Sequence, residues 1–242
     1  MSPELGAVGF LGFDIFGTIV DWRSGIARAT APFLGAHGIP LDPYSFADEW
    51  RSLYQPAMQR VRSGERPWTV LDALHRENLE ILLSRHGVDP GAVQEMELAR
   101  LIDAWWRLDP WPDAVEGLNR LKKRFVIGAL SNGHIAGVIR QARFGNLPWD
   151  VITGAETAHT YKPMPEVYLR SVAIAGFLPE QTAMVAAHNS DLKAAREVGL
   201  RTIFVRRPRE HGPAQTIDIE AESDWDMVAD SLVEVAEALG CD

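Results

Sequence analysis

The most clearly patterned stretch of the chain is VGFLGFDIFGTIV at 8–20, an apolar run that Asp14 interrupts near its middle. The part before Asp14 is short, continuous and apolar, which favours a buried parallel strand over a helix. Asp14 therefore stands where a strand ends and a loop begins. Because ligands of open α/β sheets bind at the carboxyl ends of the strands, Asp14 is a candidate nucleophile. On this stretch alone, the alternative is a carboxylate that caps the following turn.

From residue 22 to about residue 107 the apolar positions recur at helical spacing, and no stretch has the pattern of a buried strand. Loop signals rich in Gly and Pro separate the helical segments. The predicted helices are 26–34, 46–61, 69–85 and 92–106. We therefore expect a helical insertion, residues 22–106, placed directly after the loop of the first strand.

From residue 108 onward, short apolar runs alternate with amphipathic segments. The predicted strands are 125–130, 151–153, 183–187 and 201–205. The predicted helices are 114–124, 135–143, 165–175, 192–198 and a final amphipathic helix over 225–239. Strands that alternate with helices form parallel βαβ units, so the predicted fold class is α/β, with a doubly wound, Rossmann-like parallel sheet.

The amino-acid composition limits which class of protein this chain can belong to. A chain of 242 residues, 46% apolar and 24% charged, is ordinary for a soluble globular protein and can hold an α/β core with an insertion. The net charge of -9 argues against an extended nucleic-acid surface but is compatible with a local pocket for a small anion. The basic run at 206–209 is typical of a solvated surface, and we assign it no nucleic-acid role.

Cysteine usage and the apolar runs bear on location. The single cysteine, Cys241, permits no disulfide within one chain, which fits a reducing compartment. The first residues lack the basic region of a signal peptide, and no apolar run reaches the roughly 20 residues that span a bilayer. We expect a cytoplasmic protein with no membrane partner.

Polar residues follow four of the predicted strands. They are Asp14 and Thr18 after the first, Ser131 to His134 after the second, Lys162 with Tyr168 after the third, and His188 to Asp191 after the fourth. Because the carboxyl ends of parallel strands meet at one crevice, we expect these side chains to converge there.

Four segments resemble, in order and spacing, the four motifs of the haloacid dehalogenase superfamily. They are FDIFGT at 13–18, LSNGH at 130–134, YKPMPEVY at 161–168 and AAHNSDLKAA at 186–195. The insertion at 22–106 resembles the cap of the subclass that carries one at this point. The resemblance implies a Rossmann-like core formed by 1–21 and 107–242, with the helical cap between them.

A chemical argument favours one branch of the superfamily. Its phosphatases carry a second aspartate two residues after the nucleophile, as a general acid for an alkoxide leaving group. Here that position is Phe16, and a halide leaves without protonation. The phosphatases also use Mg²⁺, which prefers oxygen ligands, whereas the fourth motif offers one aspartate, Asp191, beside His188 and Asn189.

The chain therefore resembles a type II haloacid dehalogenase, for which we expect no metal and no cofactor. A Mg²⁺-dependent phosphatase or phosphonatase of the same superfamily is the alternative. A binding protein that kept the fold without the chemistry is a second one. A homodimer is expected from the resemblance alone.

The resemblance implies hydrolysis of small 2-haloalkanoic acids, haloacetate or an L-2-haloacid, through an ester on Asp14. Lys162 would keep the Asp14 carboxylate charged, and Asp191 would fix Lys162. Thr18 and Ser131 would donate hydrogen bonds to Asp14 or to the substrate carboxylate. The residues implied for halide or substrate binding are Arg51, Asn132, Phe16, Trp68 and Tyr168. For Arg51 the alternative is a surface helix residue, and for Tyr168 it is core packing.

His188 departs from the best-known members, which carry asparagine at this place. We hypothesise that His188 acts as the base for the hydrolytic water, because histidine titrates near neutrality. The alternative is that it only forms hydrogen bonds with Asp14 or Asp191. A further hypothesis is that a small pocket walled by Trp68 and Phe16 accepts fluoroacetate.

Overall fold

The centre of the molecule is a parallel sheet of six strands. The computed structural model describes residues 5–242. The strands are β1 (Phe10–Phe13), β2 (Val126–Ser131), β3 (Val151–Gly154), β4 (Thr182–Ala186), β5 (Arg201–Val205) and β6 (Met227–Ala229). Their order is β3-β2-β1-β4-β5-β6 and every pairing is parallel, as a doubly wound sheet requires. The predicted fold class is confirmed.

The register of β1 determines where the functional residues meet. All four residues of β1 are buried, and Phe13 is level with Ala129 of β2 and Val185 of β4. The residues that follow these three strands therefore emerge at the same edge of the sheet. Asp14 is the first residue beyond β1 and lies at the centre of that edge.

Helices cover both faces of the sheet. They are α6 (Ala114–Leu121), α7 (Ile135–Gly145), α8 (Ala155–Ala158), α9 (Pro165–Ala175), α10 (Asn189–Glu197) and α11 (Leu232–Ala238). One face packs with α6 and α11 in an apolar cluster that includes Leu118 and Val235. The other face packs with α9 and α10 in a cluster that includes Val167 and Leu192. Because both faces of the sheet are buried, the strands appear in the sequence as continuous apolar runs.

The insertion after β1 is helical, as the periodicity predicts. Its helices are α1 (Trp22–Ala36), α2 (Pro43–Ser52), α3 (Tyr54–Arg62), α4 (Leu71–Arg85) and α5 (Glu95–Asp103). The chain enters and leaves it side by side, because Asp21 N donates to Asp109 O at 3.0 Å and Val20 bridges Pro110. Asp21 also caps α1 by accepting from Ser24 N. We propose that residues 22–106 form a cap and that the rest of the chain forms the core.

Two of the predicted cap helices are interrupted. The helix predicted over 46–61 is wrong as a single element, because α2 ends at Ser52 and α3 begins at Tyr54. Pro56 has no N–H to donate to the carbonyl four residues earlier, so an unbroken helix would lose that bond and clash with the proline ring. The helix predicted over 92–106 is likewise shorter, since only α5 is α-helical and 3₁₀ turns flank it at Pro90–Ala92 and Ala104–Trp106.

The single helix predicted over 225–239 is wrong. Met227–Ala229 instead forms β6, which pairs with β5 and completes the edge of the sheet. The helix α11 starts only after Ser231, whose side chain accepts from Glu234 N at 3.0 Å. Pairing with a strand edge is a tertiary contact, so helical spacing in the sequence did not reveal it.

No helix in the described part of the chain combines the length and the apolar character needed to cross a membrane.

Candidate active site

A cleft of about 930 Å³ lies between the carboxyl edge of the sheet and the cap helices. Most of the residues predicted for the site line it. They are Asp14, Phe16, Arg51, Asn132, Lys162, Tyr168, His188 and Asp191. Residues far apart in sequence therefore converge at one place, as the topology requires.

Asp14 is buried and charged. Its side chain is 9% exposed; Thr18 Oγ1 donates to Oδ2 at 2.9 Å and Lys162 Nζ to Oδ1 at 2.9 Å. His188 Nδ1 lies 3.3 Å from Oδ2. Burial by itself would raise the pKa of Asp14, but Lys162 and His188 outweigh burial and hold the pKa far below its usual value. Two of these partners come from distant segments, so the geometry favours a nucleophile over a local turn cap.

Lys162 lies between two carboxylates. Its Nζ donates to Asp14 and, at 2.5 Å, to Asp191 Oδ2, while Tyr168 Oη donates to Asp191 Oδ1 at 2.6 Å. Asn132 Oδ1 accepts from the backbone N–H of Lys162 at 2.8 Å and so fixes the loop that carries it. Burial opposes the charged ammonium, but Asp14 and Asp191 outweigh burial and raise the pKa of Lys162. The lysine is thus a permanent cation beside Asp14.

His188 has a second carboxylate partner that the sequence analysis missed. Its Nε2 lies 3.1 and 3.0 Å from the two carboxylate oxygens of Glu210, a residue that is 1% exposed. Trp22 Nε1 also donates to Glu210 Oε1 at 2.9 Å. Burial would raise the pKa of Glu210, but His188 outweighs burial and lowers it. One feature of the sequence could have identified Glu210. It follows β5, so it lies at the same edge of the sheet as the predicted site residues.

The basic run at 206–209 is not uniformly solvated. Arg207 is buried, donates to Thr18 O at 2.9 Å and forms a two-pronged ion pair with Asp113 at 2.8 and 2.9 Å. This pair anchors the segment that carries Glu210. The expectation of a solvated surface is therefore wrong for Arg207, because the half-buried carboxylate of Asp113, the residue just before α6, compensates its charge.

Two predicted site residues lie elsewhere. Ser131 Oγ accepts from Gly133 N at 3.0 Å, and the structure shows no hydrogen bond from it to Asp14. Trp68 does not line the cleft, because its ring packs against Tyr161, with centroids 5.0 Å apart, and against His159 at 5.9 Å. The expectation that Trp68 walls a small pocket is corrected on this ground.

Arg51 is enclosed by aromatic rings rather than exposed. Its guanidinium carbon lies 4.0 Å from the ring centroid of Tyr54, 5.2 Å from that of Trp22 and 5.9 Å from that of Phe16. Its Nη1 is buried and, within residues 5–242, has no hydrogen-bond partner. Arg51 also lines the cleft, and a guanidinium held in one place by aromatic rings is suited to binding an anion.

The donors around Asp14 do not fit a magnesium ion. Mg²⁺ requires near-octahedral oxygen ligands, whereas the Asp14 oxygens face a lysine, an imidazole and a hydroxyl. Within the described residues, no group of three His, Cys, Asp or Glu side chains is placed to hold a metal ion. The side chains around Asp14 therefore do not form a Mg²⁺ site.

Comparison with known proteins places this architecture in a family. The model of the haloacid dehalogenase-like hydrolases matches residues 11–199. The crystal structure of Rha0230, a defluorinating L-2-haloacid dehalogenase, is 44% identical with a TM-score of 0.96, covering 99% of this chain and 98% of that one.

More distant relatives are of two kinds. (S)-2-haloacid dehalogenase 1 of Pseudomonas sp. strain CBS-3 is 28% identical over 82% of this chain and 86% of its own length. A phosphoglycolate phosphatase of Pseudomonas putida is 27% identical over 91% of this chain and 75% of its own length. With the family model matching most of its length, the chain belongs to the haloacid dehalogenase-like hydrolases.

Proposed function

We propose that this protein hydrolyses the carbon–halogen bond of small 2-haloalkanoic acids and releases a 2-hydroxy acid and halide. One observation carries the proposal. The ionised Asp14 faces a cleft that is lined by Phe16 and by Arg51, whose buried Nη1 has no hydrogen-bond partner within residues 5–242. Such a site can displace a group that departs as a stable anion, and Phe16 stands where the phosphatases of the superfamily carry their general acid. The 44% identity to an L-2-haloacid dehalogenase supports this reading.

In the first step an oxygen of Asp14 attacks the carbon that bears the halogen. The new C–O bond forms as the C–X bond breaks, and the halide carries away the bonding electron pair. Lys162 keeps the carboxylate ionised and oriented, and Asp191 with Tyr168 holds Lys162 in place. A single displacement inverts a chiral carbon. Arg51 is the proposed site for the halide or the substrate carboxylate.

In the second step water attacks the ester carbonyl of Asp14 and releases the 2-hydroxy acid. This step needs a base, and His188 is the proposed one, because its Nδ1 lies 3.3 Å from the Asp14 carboxylate. Attack at the carboxyl carbon places an oxygen of water into Asp14 and leaves an Asp14 oxygen in the product.

Fluoroacetate is included in the proposed substrate range. The support is the defluorinating relative at 44% identity, together with the aromatic enclosure of Arg51 beside Phe16. Fluoride release from fluoroacetate, measured with an ion-selective electrode, tests this part alone. Release of chloride from chloroacetate without any fluoride from fluoroacetate would restrict the range to the heavier halogens.

Halide release with a chelator present tests the proposed function as a whole. We expect chloroacetate and bromoacetate to be dehalogenated equally with and without EDTA. Repeated turnover in ¹⁸O water should label Asp14, while the first product molecule remains unlabelled. Label in the first product would indicate direct attack by water. Phosphate release from phosphate esters that requires Mg²⁺, with no halide release, would instead restore the phosphatase alternative.

A further inference from the structure

We propose that Glu210 is a positioning residue for His188, and that the two form a carboxylate–imidazole pair that activates the water which cleaves the Asp14 ester. The inference rests on the ester route proposed above. It adds a residue from the segment after β5, outside the four motifs of the sequence analysis.

The imidazole of His188 is held at both nitrogens. Its Nδ1 lies 3.3 Å from Asp14 Oδ2, and its Nε2 lies 3.0 Å from Glu210 Oε2. A carboxylate that accepts from Nε2–H fixes the ring orientation and makes Nδ1 the nitrogen that faces the nucleophile. A water that attacks the carboxyl carbon of an Asp14 ester is then within reach of Nδ1.

The carboxylate of Glu210 packs against Gly17 of the first motif, where a side chain would occupy its place. Gly17 has φ 89°, and a Cβ at that position would lie 2.1 Å from Glu210 Oε1. Gly17 lies three residues after Asp14, so the loop of the nucleophile packs directly on Glu210. Burying a carboxylate costs free energy unless a cation pairs with it. Here His188 is that cation.

The charges around His188 keep it protonated before the reaction. Asp14 faces it from the end of β1 and Glu210 faces it from the segment after β5, where His211 Nε2 lies 3.5 Å from Glu210 Oε1. Lys162 binds the other oxygen of Asp14. Burial opposes the imidazolium, but Glu210 and Asp14 outweigh burial and raise the pKa of His188 well above its usual value. The free enzyme therefore holds an ionic pair that is not yet a base.

Esterification of Asp14 removes the negative charge that faces Nδ1. The Nδ1 proton then leaves to solvent, since the His188 side chain is 20% exposed. Water next bonds to Cγ of Asp14 as Nδ1 takes its proton, which forms a tetrahedral intermediate. The Cγ–O bond to the alkyl group breaks, the alkoxide takes the proton from Nδ1, and the new Asp14 carboxylic acid protonates His188. Overall, haloacid and water give hydroxy acid, halide and one proton.

The substitution Glu210→Gln tests the pair, because it keeps the size and an acceptor oxygen but removes the charge. In single turnovers of bromoacetate from pH 5 to 9, bromide release reports ester formation and mass spectrometry reports decay of the Asp14 adduct. We expect the adduct to accumulate and its limiting decay rate to fall by about tenfold. The pH midpoint of decay should move to lower pH, while first-turnover bromide release changes by less than about threefold.

Two comparisons separate positioning from general structural support. In a His188→Asn background, Glu210→Gln should slow adduct decay no further, because Glu210 acts through His188. Asp113→Asn is the matched control, since it removes a charge from the pair with Arg207 that anchors the same segment. It should lower the melting temperature without moving the midpoint.

An unmoved midpoint, equal slowing of both half-reactions, or an undiminished effect in the His188→Asn background would overturn the role of Glu210. If Glu210→Gln fails to fold, ¹⁵N NMR of histidine-labelled wild-type protein decides the matter. A doubly protonated His188 at neutral pH supports the pair, and a neutral His188 overturns it. A wild-type enzyme that forms neither adduct nor halide would overturn the proposed function itself, an outcome visible before any variant is compared.

Discussion

Individual buried charges define the chemistry of this site. Lys162, Asp14 and Asp191 are each less than 10% exposed, and each is neutralised by at least one of the others. Removing one member of such a group leaves an uncompensated charge in a poorly solvated place, which costs far more than the intact pair contributes. The same residues that keep Asp14 ionised therefore also determine whether the loops around it stay folded.

Lys162→Met should destabilise the protein by about 3–5 kcal/mol, because it leaves Asp14 and Asp191 facing each other without a cation. It should also abolish ester formation, since the pKa of Asp14 then rises. Urea unfolding and first-turnover bromide release check both effects. Lys193→Met, on the exposed side of α10, is the matched control and should change neither. A stable Lys162→Met enzyme that still forms the ester would contradict this account.

His75, a buried and neutral residue of the cap, makes the stability of the protein depend on pH. Its ring stacks on Trp105 with centroids 4.2 Å apart, and neither ring nitrogen has a partner in the described structure. Burial, with the positive charge of Arg51, lowers the pKa of His75 well below its usual value. The unfolded chain therefore binds a proton at this residue below about pH 6.5 that the folded protein does not bind.

His75→Phe should accordingly change how stability depends on pH. The stability of the wild type relative to the variant should fall by about 1.4 kcal/mol per pH unit as the pH drops below about 6.5. Above that pH the difference should be constant. Urea unfolding of both proteins between pH 5 and 8 measures this difference. Parallel pH profiles would show that the folded protein binds a proton at His75 as readily as the unfolded chain does.

At the scale of elements, close helix contacts depend on residues without side chains. Gly117 of α6 lies against Leu232 at the start of α11, where an added Cβ would be 2.5 Å from Leu232 Cβ and 2.6 Å from its backbone carbon. This contact holds the last helix on the sheet face shared with α6. Backbone atoms give way less readily than the end of a flexible side chain, so the contact tolerates no added atom without a shift.

Gly117→Ala should therefore destabilise the protein by about 1–3 kcal/mol, despite the better helix propensity of alanine. Gly35→Ala is the matched control, because Gly35 lies in α1 with no atom within 4 Å of its added Cβ. That change should stabilise by about 0.5–1 kcal/mol. Thermal unfolding of the two variants checks the opposite signs. Stabilisation by Gly117→Ala would mean that α6 and α11 can move apart to admit the added methyl group.

For the molecule as a whole, cap and core share one apolar cluster. It contains Trp50 and Leu79 of the cap together with Phe13 and Leu118 of the core. Polar contacts cross the same boundary, since Arg62 of α3 donates to Lys162 O at 2.8 Å. The cap is thus continuous with the core in packing. The homodimer and the cytoplasmic location stay predictions.

A shared cluster predicts a single cooperative unfolding transition. Tryptophan fluorescence, to which five tryptophans of 22–106 and three of 107–242 contribute, should give the same midpoint as far-ultraviolet circular dichroism. A chain in which a short linker replaces 22–106 should not fold stably, since it exposes the core side of that cluster. Two separate transitions, or a cooperative core without the cap, would contradict this prediction.

The sequence by itself determined the parallel α/β core, the helical insertion and the residues that meet at the strand ends, because these depend on local periodicity and on one topological rule. Tertiary structure decided what depends on distant partners. Residues 227–229 form a strand because they pair with the edge of β5. Trp68 lies outside the cleft because its ring packs against Tyr161. Glu210 lies in the site because Gly17 has no side chain to exclude its carboxylate. The positive charge of His188 compensates the buried negative charge of Glu210.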